Sequence, residues 1–233
     1  YRTVSLDATY QFTADALLKA CDAHTKVIFL CSPNNPTGND LNRDEMVRLL
    51  NMFSGIVVID EAYSDFSRQK PFRLELAQYP NLIVLNTFSK AWASAGIRLG
   101  MAYASTEIIS LFNKVKYPYN VNVLTQQQAL TVLRKRYDVD KWVASIMAER
   151  AHVMAAFADL SFCRQVYPTN ANFFLARVDD ADRVYNYLVR RGIIVRNRSR
   201  VALCDNCLRV TIGTQKENTQ LMAALRQYQW EQK

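Results

Sequence analysis

Short apolar runs alternate with segments of helical periodicity through the first half of the chain. The apolar runs have the length of strands buried on both faces, and they cover residues 26–31, 55–59 and 82–85. Apolar residues recur at helical spacing after Thr13, which is predicted to cap a helix over residues 13–24. A second helix is predicted after Asn42, with Asn42 as its cap and Glu45 as the reciprocal capping partner. Strands separated by helices predict an α/β fold with a mostly parallel sheet.

The pattern changes beyond residue 105. Residues 1–6 alternate like a further strand and residues 98–104 read as another, but helices then dominate, over residues 107–116, 125–136 and 137–160. The remainder alternates, with strands over residues 172–178 and 207–213 and helices over residues 180–191 and 215–228. A polar join at residues 118–122 predicts two domains, a larger one over residues 1–120 and a smaller α+β domain over residues 121–233.

Lys90 is the first candidate for chemistry, because it follows the apolar run at residues 82–85. Reactive groups of α/β sheets lie beyond the carboxyl ends of such strands, and partial burial there would lower the pKa of the amine and favour attack on a carbonyl. Thr87 and Ser89 supply hydroxyl donors, and Arg98 supplies a fork suited to phosphate oxygens. An aldehyde that carries a phosphate, such as pyridoxal phosphate, fits this set.

Other polar groups follow the neighbouring strands. Asn35 comes after the first apolar run, and Asp60 and Tyr63 come after the second, so parallel strands would bring them to the edge that carries Lys90. An aspartate beside a pyridine nitrogen keeps it protonated, and a tyrosine and an asparagine can hydrogen-bond the ring oxygen. Taken alone, Asp60 could equally bind magnesium or cap a helix.

Composition narrows the possible partners. The chain has 233 residues, half of them hydrophobic, and its 29 basic against 21 acidic residues give a net charge of +8. This balance suits acidic small molecules, and the scattered basic residues show neither zinc-finger spacing nor an RNA-binding signature, so nucleic-acid binding is not predicted. No apolar run approaches about 18 residues, so no membrane span is predicted.

Five cysteines, an odd number, favour free thiols in a reducing compartment, hence a cytoplasmic protein. Cys204 and Cys207 form a CxxC pair that lacks a second pair or a nearby histidine, so no metal is predicted.

Five segments together resemble the fold type I aminotransferases, which depend on pyridoxal phosphate. They are NNPTG at residues 34–38, DEAY at 60–63, TFSKA at 87–91, AGIRLG at 95–100 and LRVTIG at 208–213. Residues 118–122, 170–174 and 192–196 resemble the histidinol-phosphate aminotransferases in particular. Aromatic aminotransferases and threonine-phosphate decarboxylases share much of this pattern and stay open as alternatives.

The resemblance implies a role for each matching residue. Lys90 would bind the cofactor aldehyde covalently and carry a proton, Asp60 would pair with the pyridine nitrogen, and Tyr63 and Asn35 would contact the ring oxygen. The cofactor phosphate would be held by Thr87, Ser89 and Arg98. Arg209, and less directly Arg196, would bind the anionic end of the substrates, histidinol phosphate and glutamate or 2-oxoglutarate.

The resemblance also implies a homodimer, and it predicts an amino-terminal region that this sequence lacks. Family members carry roughly a hundred further residues there, and the chain begins at Tyr1 without a methionine. We therefore expect an incomplete phosphate site, an incomplete large-domain sheet and an uncovered sheet surface prone to aggregation. An inactive fragment that requires the remaining segment is the alternative from a different functional class.

Overall fold

A computed structural model describes residues 1–231, and it divides the chain into two compact units. The first unit is Tyr1–Pro33 with Asp40–Asp140, and the second is Asn34–Asn39 with Lys141–Lys233. The division therefore falls near residue 140, and a short loop after the first strand groups with the carboxyl-terminal unit. The domain boundary predicted between residues 120 and 121 stays a prediction.

The first unit has strands at the three apolar runs, and α-helices alternate with strands only in its first 60 residues. Its elements are α1 (Ala14–Ala20), β1 (Val27–Cys31), α2 (Arg43–Met52), β2 (Ile56–Asp60), β3 (Leu82–Thr87), β4 (Gly100–Tyr103), α3 (Thr106–Val115) and α4 (Val123–Leu133). Short 3₁₀ turns, Phe72–Leu74 and Leu76–Gln78, lie between β2 and β3. Helix α5 (Arg136–Ala158) continues from this unit into the second.

The sheet of the first unit has the order β1-β2-β3-β4. Strands β1, β2 and β3 are parallel, which confirms the mostly parallel α/β sheet, whereas β4 runs antiparallel to β3. The 3₁₀ turn Ala95–Ile97 takes the place of a full crossover helix between β3 and β4, and an antiparallel pair tolerates such a short connection. Asp60 pairs with Leu85 in register, so β2 and β3 end side by side.

The two faces of this sheet are covered unequally. One face packs into the larger core, which includes Leu49, Val57 and Leu82, and the other face carries a small cluster around Ile108 of α3. On β1, Phe29 remains 72% exposed.

Two predictions at the amino-terminal end are wrong. Residues 1–6 form no strand, because Arg2 reaches instead to the carbonyl of Ala20 and to Asp22, outside any ladder. Asn42 caps α2 by accepting hydrogen bonds from the Asp44 and Glu45 amides, but the reciprocal half of the capping box is absent. The Glu45 carboxylate accepts from the Ala14 amide at the start of α1.

The second unit is an α+β unit, as predicted for the carboxyl-terminal part of the chain. It contains β5 (Cys163–Val166), β6 (Phe173–Val178), α6 (Ala181–Val189), β7 (Arg196–Asn197), β8 (Cys207–Thr211) and α7 (Gln215–Glu231). The strands pair antiparallel in the order β5-β6-β8-β7. Strand β5 escaped the sequence analysis because only its end residues are apolar or partly buried.

Gly38 holds the 34–39 loop in the second unit. Its φ is +86°, and an added Cβ would lie 2.3 Å from Thr169 Oγ1, while its carbonyl accepts a hydrogen bond from the Asn170 amide at 2.7 Å. Gly192 has a comparable φ of +73°, but a Cβ there meets nothing within 4 Å. The two glycines therefore share a backbone conformation and differ in the space around them.

We expect Gly38→Ala to destabilise the protein more than Gly192→Ala does. The left-handed backbone costs each alanine variant about 1–2 kcal/mol, and the contact with Thr169 adds roughly 1–3 kcal/mol at position 38 alone. Chemical denaturation of both variants measures the difference in free energy of unfolding. Equal losses would show that the contact with Thr169 relaxes without cost.

Within the part of the chain that the structure describes, no helix combines the length and the apolar character that crossing a membrane requires.

Candidate active site

Lys90 lies in the connection that follows β3. Phe88 anchors this connection, because its ring is buried against Trp92 and its amide donates a hydrogen bond to the Leu99 carbonyl at 3.1 Å. Lys90 is half-buried, and its Nζ lies 5.0 Å from the centre of the Tyr63 ring. Among residues 1–231, no hydrogen-bond or ion-pair partner is found for this amine. The lysine is thus placed by the backbone around it and remains available for a ligand.

Asp60 and Tyr63 follow β2, the strand beside β3. Asp60 is the last residue of β2, and its Oδ1 accepts a hydrogen bond from the Ala62 amide at 2.9 Å. In the described residues its second carboxylate oxygen has no such partner. Tyr63 is 5% exposed and presents its ring to Lys90. The expected clustering of these groups at adjacent strand ends is therefore present within the first unit.

The two hydroxyls beside Lys90 are in contact with each other. Thr87 Oγ1 lies 3.0 Å from Ser89 Oγ and accepts a hydrogen bond from the Ser89 amide at 3.1 Å. Arg98 follows the 3₁₀ turn of the same connection, with a left-handed φ of 54° and an exposed side chain that donates to the Ala95 carbonyl at 2.9 Å. Hydroxyl, amide and guanidinium donors of this kind suit phosphate oxygens.

A buried polar cluster supports these strand ends, and the sequence analysis did not identify it. Glu61 is 3% exposed, and its carboxylate accepts hydrogen bonds from the Phe72 amide and from Arg73. Arg73 also donates to Ser64 Oγ at 2.7 Å. Asn86, near the end of β3, donates to the Glu61 carbonyl at 3.2 Å. The cluster ties the segment that contains Asp60 and Tyr63 to the strand that leads to Lys90.

The signal that could have revealed this cluster is local. Glu61 directly follows Asp60 after a buried strand, where a second acidic residue would face the protein interior and would need a buried cation such as Arg73. Burial raises the pKa of Glu61 above its usual range, although the Phe72 amide and Arg73 oppose the shift.

Glu61 should make stability depend on pH with a defined sign. A carboxyl with a raised folded-state pKa binds its proton more tightly in the folded protein than in the unfolded chain. Its contribution to stability is therefore greatest below its ordinary pKa and falls as the pH rises toward the folded-state value. Glu61→Gln cannot titrate, so the unfolding free energy of wild type minus that of Glu61→Gln should fall as the pH rises above the ordinary glutamate pKa of 4.5.

Glu75 provides the matched control, because its pKa is lowered by the hydrogen bond from Lys70 and by the charges of Arg43 and Lys70. The corresponding difference for Glu75→Gln should rise with pH below the ordinary glutamate pKa of 4.5, since stability from a lowered carboxyl pKa is lost as the pH falls. Denaturant titrations at several pH values measure both slopes. A difference for Glu61→Gln that rises with pH would contradict the assigned direction.

The remaining candidate residues lie in the second unit. Arg209, on β8, donates a hydrogen bond to Asn35 Oδ1 at 2.7 Å, and its guanidinium lies 4.8 Å from the centre of the Phe173 ring. Arg196, on β7, is exposed and is the cross-strand partner of Arg209. The structure thus brings Asn35, Arg196 and Arg209 into one part of the second unit.

The described residues contain no group of three or more His, Cys, Asp or Glu side chains that could hold a metal ion. None of the five cysteines, all within the described residues, forms a disulfide, and Cys204 and Cys207 are both buried.

The chain belongs to the class I and II aminotransferases, since residues 1–225 match the family described as "Aminotransferase class I and II". It is 58% identical over 229 residues to a protein of Bacteroides fragilis named histidinol-phosphate aminotransferase. That alignment covers 98% of this chain and 66% of the relative, so the chain spans just under two thirds of the length of that relative.

Solved structures share the fold at lower identity. The histidinol-phosphate aminotransferase of Clostridium acetobutylicum superposes with a TM-score of 0.89 at 23% identity, covering 97% of this chain and 70% of that one. The histidinol-phosphate aminotransferase of Sinorhizobium meliloti, solved in complex with pyridoxal 5'-phosphate, superposes with a TM-score of 0.88 at 23% identity. That comparison covers 100% of this chain and 65% of the other. These structures confirm the predicted fold type I architecture, and the family match over residues 1–225 confirms the predicted family.

Proposed function

We propose that the whole protein is a pyridoxal-phosphate-dependent aminotransferase that transfers the amino group of L-histidinol phosphate to 2-oxoglutarate, in histidine biosynthesis. The observation that carries this proposal is the placement of Lys90 beside the Tyr63 ring, at the strand ends that also carry Asp60. Identity of 58% to a relative named for this activity supports it.

The residues of the first unit fit pyridoxal phosphate. The Lys90 amine and one Asp60 carboxylate oxygen have no hydrogen-bond partner among residues 1–231, so each has capacity for a ligand. The hydroxyls of Thr87 and Ser89 and the guanidinium of Arg98 provide two kinds of donor for the phosphate group. When bound, pyridoxal phosphate supplies an aldehyde and a ring that accepts electrons from the substrate α-carbon.

Each protein group has a separate task in the proposed reaction. The Lys90 Nζ would hold the cofactor through its aldehyde, with loss of water, and would accept the proton that leaves the substrate α-carbon. The Asp60 carboxylate holds a proton on the pyridine nitrogen, and the Ala62 amide fixes its orientation. Tyr63 and Asn35 orient the cofactor through its ring oxygen.

Arg209 and Arg196 are proposed to bind the anionic end of each substrate. Their fork-shaped guanidinium groups suit both the phosphate of histidinol phosphate and a carboxylate of glutamate. We further propose that the protein acts in the cytoplasm as a homodimer, as the family resemblance implies.

A substrate panel tests the proposal. The protein is loaded with pyridoxal phosphate and incubated with 2-oxoglutarate and either histidinol phosphate, an aromatic amino acid or threonine phosphate, and glutamate and carbon dioxide are measured. We expect glutamate formation to be fastest with histidinol phosphate, without carbon dioxide release. Preferred turnover of an aromatic amino acid, or carbon dioxide release from threonine phosphate, would replace the proposal with the corresponding alternative.

A further inference from the structure

One face of the sheet in the second unit is rich in arginine. Strand β8 lies between β6 and β7, with Arg196 opposite Arg209 and Arg177 opposite Cys207. The Arg198 amide donates to the Cys207 carbonyl at 2.8 Å, which continues the ladder beyond β7. Side chains two positions apart on a strand point to the same face, and so do cross-strand partners. The Arg196–Arg209 pair therefore shares a face with Arg198 and Arg177, which flank Cys207. This arginine face consists of Arg177, Arg196, Arg198 and Arg209.

The opposite face fixes the position of the arginine face. Leu208 and Val210 alternate with Arg209 along β8, and both belong to the core of the second unit together with Phe174 of β6. A shift of register by one residue would bury the arginines and expose this core. The arginine side chains lie on one face of the sheet because the opposite face is buried in the core of the second unit.

Two arginines of this face, Arg196 and Arg198, have no carboxylate nearby in the described part of the chain. Among residues 1–231, no Asp or Glu oxygen lies within 4.0 Å of the Arg196 or Arg198 guanidinium. Arg196 stands directly opposite Arg209, and like charges at such a pair oppose folding. A bound anion would relieve this repulsion.

Arg198 differs from an ordinary surface arginine. Its amide donates to the Cys207 carbonyl and its carbonyl accepts from the Val201 amide, both at 2.8 Å, so its backbone is fixed on both sides. Its Nε is buried and has no acceptor in the part of the chain that the structure describes. A buried guanidinium N–H favours an oxygen-rich ligand that can accept its hydrogen bond.

We propose that Arg198 is a third cationic group of the substrate site and selects amino substrates that end in a phosphate monoester. This inference rests on the proposed function and adds to it a residue outside the Arg196–Arg209 pair. A phosphate monoester carries about two negative charges near neutral pH and three acceptor oxygens, so it can engage a third guanidinium. A carboxylate has one charge and two oxygens, which the pair already satisfies.

Kinetics of both substrates test this selectivity. In the holoenzyme, Arg198→Gln should lower kcat/KM for histidinol phosphate by about 10- to 100-fold, the effect of one charge-assisted hydrogen bond, and change kcat/KM for glutamate by less than about 3-fold. Arg200, exposed in the turn after Arg198, gives the matched control. Arg200→Gln should change neither value. Equal losses for both substrates, or the same loss in Arg200→Gln, would overturn the assignment.

Binding of inorganic phosphate separates this inference from the proposed function. Calorimetry on the holoenzyme should show weaker phosphate binding in Arg198→Gln and unchanged binding in Arg200→Gln, whichever amine proves to be the preferred substrate. Arg198→Lys keeps the charge but loses the fork, and its phosphate affinity should fall at least about 5-fold. It also decides the question if the glutamine variant fails to fold, because wild-type affinity in Arg198→Lys would refute the role of Arg198.

Discussion

Lys90→Ala is expected to abolish transamination and covalent attachment of pyridoxal phosphate. The amine at position 90 lies 5.0 Å from the centre of the Tyr63 ring, beside the ends of β2 and β3, where the proposed function places the cofactor aldehyde. Borohydride reduction followed by peptide mass spectrometry should show the cofactor attached to the Lys90 peptide of the wild type and no attachment in the variant.

Lys114→Ala is the control for this experiment, because Lys114 is exposed on α3 and the substitution removes the same side chain. It should retain full turnover and attachment at Lys90. Lys90→Arg keeps the positive charge and should be as inactive as the alanine variant, since a guanidinium does not lose its proton to become a nucleophile. Turnover retained in either Lys90 variant would remove the lysine from its assigned role.

Asp60→Asn is expected to leave the cofactor bound and to lower kcat by roughly 10²- to 10⁴-fold, the usual range for loss of a proton-transfer partner. The amide oxygen of asparagine can still accept the Ala62 hydrogen bond that Asp60 Oδ1 accepts at 2.9 Å, so the loop should keep its conformation. The variant loses only the negative charge that is proposed to hold the pyridine nitrogen protonated.

Asp60→Ala removes both the negative charge and the acceptor of the Ala62 hydrogen bond, so its comparison with Asp60→Asn separates the two effects. The kcat of Asp60→Ala should match that of Asp60→Asn. Its free energy of unfolding should be lower than that of Asp60→Asn by about 1 kcal/mol, the net value of one hydrogen bond. Stopped-flow measurement of α-proton removal with deuterated substrate shows whether the proton transfer is the slowed step. An unchanged rate in Asp60→Asn would exclude the proposed pairing with the ring nitrogen.

The parallel strands and the polar groups at their ends were predictable because both depend on local sequence. Uninterrupted apolar runs indicate buried strands, and the connections between them, α2 after β1 and a long segment with 3₁₀ turns after β2, allow parallel pairing. Asp60 and Lys90 could therefore be assigned to one sheet edge. The catalytic and binding roles of these residues stay predictions until variants are measured.

Interactions between distant segments were not predictable from the same pattern. The partner of Glu45 is the Ala14 amide, 31 positions away, and local capping rules favour the nearer Asn42. The antiparallel direction of β4 depends on how the connection after Lys90 folds, and its strand-like composition is the same for either direction. Glu61 could be recognised locally as a buried acidic residue, but the identity of its partner, Arg73, follows only from the fold.

The division of the chain into two units separates two properties of the proposed enzyme. Lys90 and Asp60, assigned to covalent and proton chemistry, belong to the first unit, whereas the arginine face belongs to the second. Substrate choice can therefore be varied in a library confined to residues 193–200 without altering any residue assigned to bond making. In evolutionary terms, such a layout lets gene duplication yield enzymes with new substrates that inherit the same reaction.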